Sequence, residues 1–407
     1  MSTAHLTNLD LSAPPAIKTI GRRSLAIGAV ASVIAVALAF TNPTVFFRGY
    51  LLSFMDWLGV CLGSMAILMI RHLTGGGWGM VIRRVLGAAM RTLPLLALLF
   101  IPLAVAVRLH LLYPWAMPLE GVQDPRIREH LAHNKFVTSG YLNWHGFILR
   151  GVVYFAIWGL LVYLLTRWST AQDTPPVRDN SGRFKAVSGP GLIILAFTVS
   201  FAAIDWVMSL DPSWISTIYG LLFVAGELLA GLCFAVVIER ILFKYKPMSL
   251  LLRPNFVHDH GKFMLTFIMV WAYFSFSQWI IIWSGNLPEE ITWYIRRLNG
   301  GWGYVGIFLV LFHFAVPFVI LLSRPFKRDV TKLVYLAAWL LFMRYVDLFW
   351  IVEPNFSATF RVTWGDLVIP FAMGGLWLAY FCYNLSSLPL LPAYDVYAKQ
   401  VLEPEHE

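Results

Sequence analysis

The chain has 407 residues, of which 58% are hydrophobic and 13% charged, against roughly 25% charged in an ordinary soluble domain. That balance excludes a water-soluble globule and predicts an all-α polytopic membrane protein. The formal charge of +9 must then lie on loops, where it reads as a topology signal and not as a nucleic-acid surface.

Apolar runs of roughly 17 to 25 residues predict about ten membrane helices, at 24–40, 50–70, 86–107, 146–166, 191–208, 219–240, 263–283, 303–322, 331–352 and 366–385. Segment 1–23 precedes them and segment 386–407 follows as a tail. The third run is interrupted by Arg91, Pro94 and Pro102, yet without it the alternation of basic loops fails. One face receives Lys18, Arg22 and Arg23, then Arg71, Arg83 and Arg84, then the loops 178–185, 244–253 and 324–332. The other has no Lys or Arg between Asp205 and Ile218, and only Arg361 between Glu353 and Trp364. By the positive-inside rule the basic face and both termini are cytoplasmic. No small-x-small cleavage site follows Phe40, so the first run reads as a retained helix. Anionic membrane lipids are sufficient partners for the basic loops.

Cys61, Cys233 and Cys382 lie in separate spans with no Cys-x-x-Cys pair, which gives an iron–sulfur cluster no ligand set in this chain. A membrane haem needs two facing histidines, and only His313 lies well inside a span. No metal-binding or phosphate-loop motif occurs.

The fifth and ninth helices end alike. Asp205 matches Asp347, Asp211 matches Glu353 and Pro212 matches Pro354, all at a spacing of 142, and Ser213-Trp214 answers Asn355-Phe356. This reads either as chance or as a parallel repeat about an axis along the membrane normal.

A charge at mid-bilayer costs about 2.5 to 3.5 kcal/mol on insertion scales, so each buried one asks for a partner or a use. Asp56, Arg150 and Glu227 are expected a few residues into helices entering from the outer face, while Asp205, Asp347 and Glu353 close helices that exit there. Arg344 and Asp347 are three apart and can pair, either as a structural salt bridge or as part of a proton path. Glu227 has no partner on its own helix and is a candidate proton holder. Towards the basic face stand His258, Asp259, His260, Lys262 and Glu239. A path from Asp259 or His260 through His313 towards Glu227 competes with two plainer readings. In these Asp259 is a solvated N-cap and His313 makes an ordinary interhelical hydrogen bond.

Three stretches carry a family resemblance. The first runs from His258 to Arg297 and includes His-Asp-His-Gly-Lys-Phe, Trp271-Ala-Tyr-Phe-Ser-Phe-Ser-Gln278-Trp and Trp283-Ser-Gly-Asn-Leu-Pro-Glu-Glu290. The others are Asp205-Trp-Val-Met-Ser-Leu-Asp-Pro-Ser-Trp214 through Tyr219-Gly220, and Tyr141-Leu-Asn-Trp-His145-Gly-Phe-Ile-Leu-Arg150. Together with helix placement they resemble the ActF membrane subunits of alternative complex III. That complex is a bacterial quinol:electron-acceptor oxidoreductase, and ActF belongs to the wider NrfD and polysulfide-reductase-like group. The resemblance implies two four-helix bundles, helices two to five and six to nine, with flanking helices outside, in the bacterial inner membrane. It implies an ActC-like sister that oxidises quinol, a periplasmic iron–sulfur subunit and multihaem cytochrome c subunits as partners, and an accessory or proton-conducting role with no covalently bound cofactor. If quinone or menaquinone entered this chain, Asp56, His145, Asp205 and Tyr219 are the groups near the outer face that would meet it. The long outer loop from His110 to Asn143, with Asp124-Pro125-Arg126 and the residues His130 to Lys135, is either a docking surface or a cap. A secondary transporter and a scaffold without chemistry are the competing functional classes.

Overall fold

The computed structural model describes residues 10–134 and 140–396. Segments 1–9 and 397–407, and Lys135 of the expected docking loop, lie outside them. Among the described residues ten long apolar helices form the membrane-crossing set: α1 (Pro15–Thr41), α2 (Pro43–Thr74), α3 (Trp78–Arg108), α4 (Trp144–Thr170), α5 (Ser181–Leu210), α6 (Tyr219–Leu242), α7 (Pro254–Gly285), α8 (Trp302–Leu322), α9 (Val330–Asn355) and α10 (Trp364–Ser386). The protein is an all-helical, multi-pass membrane protein. The only β pairing described is an isolated bridge between Arg178 and Asp395.

Several helices begin earlier than their apolar runs. α1, α2 and α7 each place a proline in the first turn, where its missing N–H costs nothing and its fixed φ suits the helix. The Asn42 side chain caps α2 by accepting from Val45 N, and Asn143 caps α4 by accepting from Gly146 N at 2.7 Å. Because α7 starts at Pro254 with Arg253 as its N-cap, Asp259 lies in the second turn and does not cap the helix. It pairs instead with Lys262 at 3.0 Å on a partly exposed surface.

Prolines also set the interruptions. α3 consists of three pieces, Trp78–Met90, Leu93–Leu99 and Ile101–Arg108, because the rings of Pro94 and Pro102 crowd the carbonyls four residues back. In α8 a π-helical turn spans Val310–Ala315. Pro317 has no N–H for the His313 carbonyl, and the wider turn absorbs the lost bond. α7, by contrast, runs unbroken over 32 residues.

The helices pack as two four-helix groups. α2 contacts α3 and α5, and α4 bridges α3 and α5; α6 contacts α7 and α9, and α8 bridges α7 and α9. α1 and α10 pair with each other and lean on α2. The groups meet where α2 crosses α6 at Gly63 and Gly231. A Cβ on either residue would strike the facing backbone, so contact there depends on the absence of side chains, as in many lipid-embedded helix pairs. The outer surfaces of α4, α5 and α7 expose Leu149, Val152, Phe197, Phe276 and Trp283, which a bilayer solvates and water would not. Residues 387–396 run back along the basic face. Leu390 N donates to Leu11 O at 2.8 Å and Tyr394 N to Gln172 O at 3.1 Å, so both ends of the described chain share that face.

Candidate functional site

The polar centre of the second bundle is built around Arg344. α9 places Arg344 one turn before Asp347, and Arg344 Nη1 donates to Asp347 Oδ2 at 2.6 Å. Trp271 of α7 donates its indole N–H to the same oxygen at 3.2 Å. Room for the guanidinium comes from Gly226 on α6, where a Cβ would collide with it. The Phe223 ring covers the cation with its centroid 5.4 Å from Cζ, a cation–π arrangement.

Two further carboxyls, Asp56 on α2 and Glu227 on α6, lie within the electrostatic reach of the same Arg344. Neither is hydrogen-bonded among the described residues. Asp56 lies deeper than its distance from the predicted helix end suggested, whereas Glu227 stands where expected because α6 starts at Tyr219. α2 begins at Pro43, so Asp56 is more than three turns in, about 20 Å at 1.5 Å per residue. The Glu227 side chain in turn lies against Gly59, three residues further along α2. One guanidinium balances one carboxylate, and here one carboxylate is bonded to it while two more carboxyls lie within its electrostatic reach. In a low-dielectric interior unbalanced charge is costly, which makes the cluster a candidate place for proton exchange.

His313 stands beside it. Its ring centroid is 4.2 Å from that of Trp271, and its residue is fully buried. Neither ring nitrogen has a hydrogen-bond partner of normal geometry among the described residues. The interhelical partner within reach of the ring is the Met343 backbone of α9, which it approaches without a hydrogen bond of normal geometry. A buried imidazole so loosely held is the kind of group that an internal water satisfies.

The first bundle holds a matched counterpart. Asp205 is fully buried, and its Oδ2 accepts from Arg150 Nε at 2.8 Å and from the Tyr154 hydroxyl at 2.7 Å. Arg150 also donates to Tyr141 O at 3.0 Å and stacks 4.0 Å from the Tyr141 ring. The spacing of 142 thus pairs positions of like chemistry. Asp205 and Asp347 each meet an arginine, from the neighbouring helix in one case and from the same helix in the other. Asp211 meets Arg296 at 3.2 Å, and Glu353 meets Arg48 of α2. Arg296 also joins Asp124, which caps the short helix Pro125–His133.

At the basic face two of the expected residues come together. His260 Nδ1 is 3.0 Å from Glu239 Oε2, and its Nε2 is 2.9 Å from Trp78 O. Both neighbours are acceptors, so the ring satisfies both as the doubly protonated cation. Three turns of α6, about 18 Å, separate Glu239 from Glu227. The α6 side chains between them, such as Leu232, Cys233 and Val236, are buried and apolar. Side chains alone do not connect His260 to His313 or Glu227. One polar step exists at the α2–α6 crossing, the buried and unpartnered hydroxyl of Ser64.

The four residues considered for a quinone do not converge. Asp205 belongs to the first bundle. Tyr219 lies in the second, between Trp214 and Phe223. Asp56 faces the junction of the two, and His145 is exposed at the start of α4. None of the four lines the cavities on the basic face or the apolar groove between α1 and α10.

Some functional positions escape a reading of charge and periodicity. Trp271 belongs to an aromatic run whose bland explanation is packing, and only the fold shows its N–H on Asp347. Gly226 and Ser64 carry no charge to draw attention. Among the described residues no group of three or more His, Cys, Asp or Glu is placed to hold a metal ion. No family model matches the chain, and no curated protein matches it.

Proposed function

We propose that the chain is an ActF-like membrane subunit of a quinol-oxidising electron-transfer complex of the alternative complex III type, and that its second bundle conducts protons. The observation that carries the proton role is the single buried Arg344, bonded to Asp347 and within electrostatic reach of Asp56 and Glu227, beside the loosely held His313. The resemblance of the stretches around Asp205 and from His258 to Arg297 supports the family, as does a packing in which helices two to five and six to nine form two groups joined closely through α2 and α6.

In this reading Asp347 stays with Arg344 and Trp271, while Glu227 and Asp56 take up and release protons. Water links them to the His260–Glu239 pair on the cytoplasmic side. Quinol is oxidised in an ActC-like sister, and the clasp of Asp124, Arg296 and Asp211 presents the Pro125–His133 helix to periplasmic iron–sulfur and multihaem cytochrome subunits. The scattered positions of Asp56, His145, Asp205 and Tyr219 favour this accessory role over a quinone pocket of the chain's own.

Purification of the native complex tests the family. Multihaem cytochromes and an iron–sulfur subunit should accompany the chain; a lone oligomer that moves solute in liposomes would make it a secondary transporter. Proton release during quinol oxidation tests the mechanism. Glu227→Gln in an intact complex should reduce it, and unchanged proton release in that variant, Asp347→Asn and His313→Phe leaves a scaffold.

A further inference from the structure

At the face opposite the basic loops, the end of α9 meets the starts of α2 and α10. Gly49 of α2 and Gly365 of α10 lie backbone to backbone: a Cβ on Gly49 would strike Gly365, and one on Gly365 would strike the Val45 carbonyl. This close approach sets Arg48 beside two buried carboxyls, Glu353 and Asp366. Glu353 Oε2 accepts from Arg48 Nη2, whose guanidinium also covers the Phe356 ring with Cζ 4.9 Å from the centroid. Asp366 Oδ2 closes the capping box of α10, accepting from Thr363 N at 2.7 Å and from Thr363 Oγ1 at 2.8 Å.

Two oxygens are left over. Glu353 Oε1 and Asp366 Oδ1 are buried, and neither has a hydrogen-bond partner among the described residues. An ionised carboxylate only accepts, so two of them cannot satisfy one another, and a proton on one supplies the missing donor. The charges point the same way. Glu353 lies within electrostatic reach of Asp366, Arg48 and Arg361, and Asp366 within reach of the same Arg48. Arg361 is exposed and screened by solvent. One largely buried guanidinium therefore faces two carboxyls, and the second negative charge is the costly one.

Tyr345 joins this pair to the Arg344 cluster. It stands on α9 about two turns before Glu353, roughly 12 Å, and donates its hydroxyl hydrogen to Asp366 O at 2.5 Å. The same phenol lies within electrostatic reach of Asp366, Asp56 and Glu353. We propose that Glu353 and Asp366 hold one proton between them and form the outlet of the proton path, with Tyr345 as the relay from Asp56. The outlet rests on the reading that Asp56 exchanges protons. In the transfer the Asp56 acid gives its proton to the phenol oxygen while the phenolic hydrogen passes through water to Glu353 Oε1. Asp56 becomes a carboxylate, the phenol is unchanged and Glu353 becomes the acid. Loss of that proton to solvent beside Arg361 resets the pair.

Infrared difference spectra of the full chain in detergent, recorded across a pH titration, report a protonated carboxyl directly. Glu353→Gln and Asp366→Asn should each remove the same single carboxyl band, as one shared proton requires, and leave the bands of Glu227 and Asp56 in place. Loss of two different bands, or of none, overturns the shared proton. Proton release by the intact complex during quinol oxidation tests the outlet. Glu353→Gln and Tyr345→Phe should each slow it by about a hundredfold, and Tyr345→Phe should do so with the infrared band retained. Tyr345→Phe leaves the capping box of α10 intact, so it decides the matter if Glu353→Gln does not assemble. Unchanged release in both variants, where Glu227→Gln slows it, overturns the outlet and leaves the path through Glu227 standing. Unchanged release in all three overturns both.

Discussion

The two bundles place an aspartate at the same point, the closing turn of α5 and of α9, and then treat it differently. Asp205 has its own arginine and a tyrosine hydroxyl, one cation for one carboxylate. Asp347 shares its arginine with Asp56 and Glu227. A matched pair has nothing to gain from a proton, whereas an oversubscribed cation leaves sites where protons bind and leave. Like charged helix ends therefore yield a structural lock in one half and a candidate proton site in the other.

Removing each arginine is the strongest test of that contrast. Arg150→Met leaves Asp205 as a fully buried carboxylate without its cation and should cost about 3–5 kcal/mol, read as a large fall in thermal stability or a failure to accumulate. Arg344→Met should cost less, because the carboxyls around it can neutralise themselves by protonation. Equal losses, or a greater loss at Arg344, would remove the distinction between the bundles.

Glycine substitutions come next. Gly226→Ala drives a methyl group into the Arg344 guanidinium and should destabilise by about 1–3 kcal/mol, with proton release falling at least tenfold. Gly159 in the first bundle has open space around it, so Gly159→Ala should instead stabilise α4 by roughly 0.5–1 kcal/mol. Thermal unfolding of both variants separates a steric requirement at 226 from a general intolerance of change in these helices.

Glu227→Gln should then separate chemistry from stability within the second bundle. It keeps the shape of the side chain and removes one of three competing charges, so the unfolding midpoint should move by less than the equivalent of about 1 kcal/mol while proton release collapses. A stability loss as large as that of Arg150→Met would mean that Glu227 is an essential ionic partner and not a proton carrier.

Much of this arrangement can be read from residues. The spans follow from apolar runs, and the Arg344–Asp347 pair from a spacing of three. The like ends of α5 and α9 follow from a match at 142 positions. What escapes a linear reading depends on helix starts and on partners distant in sequence. The apolar run of α2 begins well after its cap at Asn42, which moves Asp56 from the rim to mid-span. Asp259 resembles an N-cap until Pro254 is seen to start the helix. The partners of Asp205, Arg150 and Tyr154, precede it by 55 and 51 residues, and nothing local announces them. The π turn around His313 is foreshadowed only by Pro317, since a proline inside a helix signals disturbance without saying which kind.

The smallest expected effect belongs to the clasp that ties the outer ends of the bundles together. Asp124, outside the spans, is pushed up by partial burial. The backbone N–H of Arg126 and the charges of Arg296 and Arg126 outweigh that and hold it below the usual carboxylate range. A carboxyl with a lower pKa in the folded than in the unfolded chain stabilises the fold above its unfolded value, about 3.9. It loses that contribution as pH falls through the folded value. Asp124→Asn should therefore lower stability by no more than about 1 kcal/mol, as befits a partly exposed pair. The difference from wild type should stay constant from about pH 8 to 5 and vanish only in stronger acid. A difference that instead varied between pH 6 and 8 would tie the clasp to the proton chemistry of the second bundle. Constancy there means that the clasp keeps its shape independently of any titration at Glu227 and Asp56.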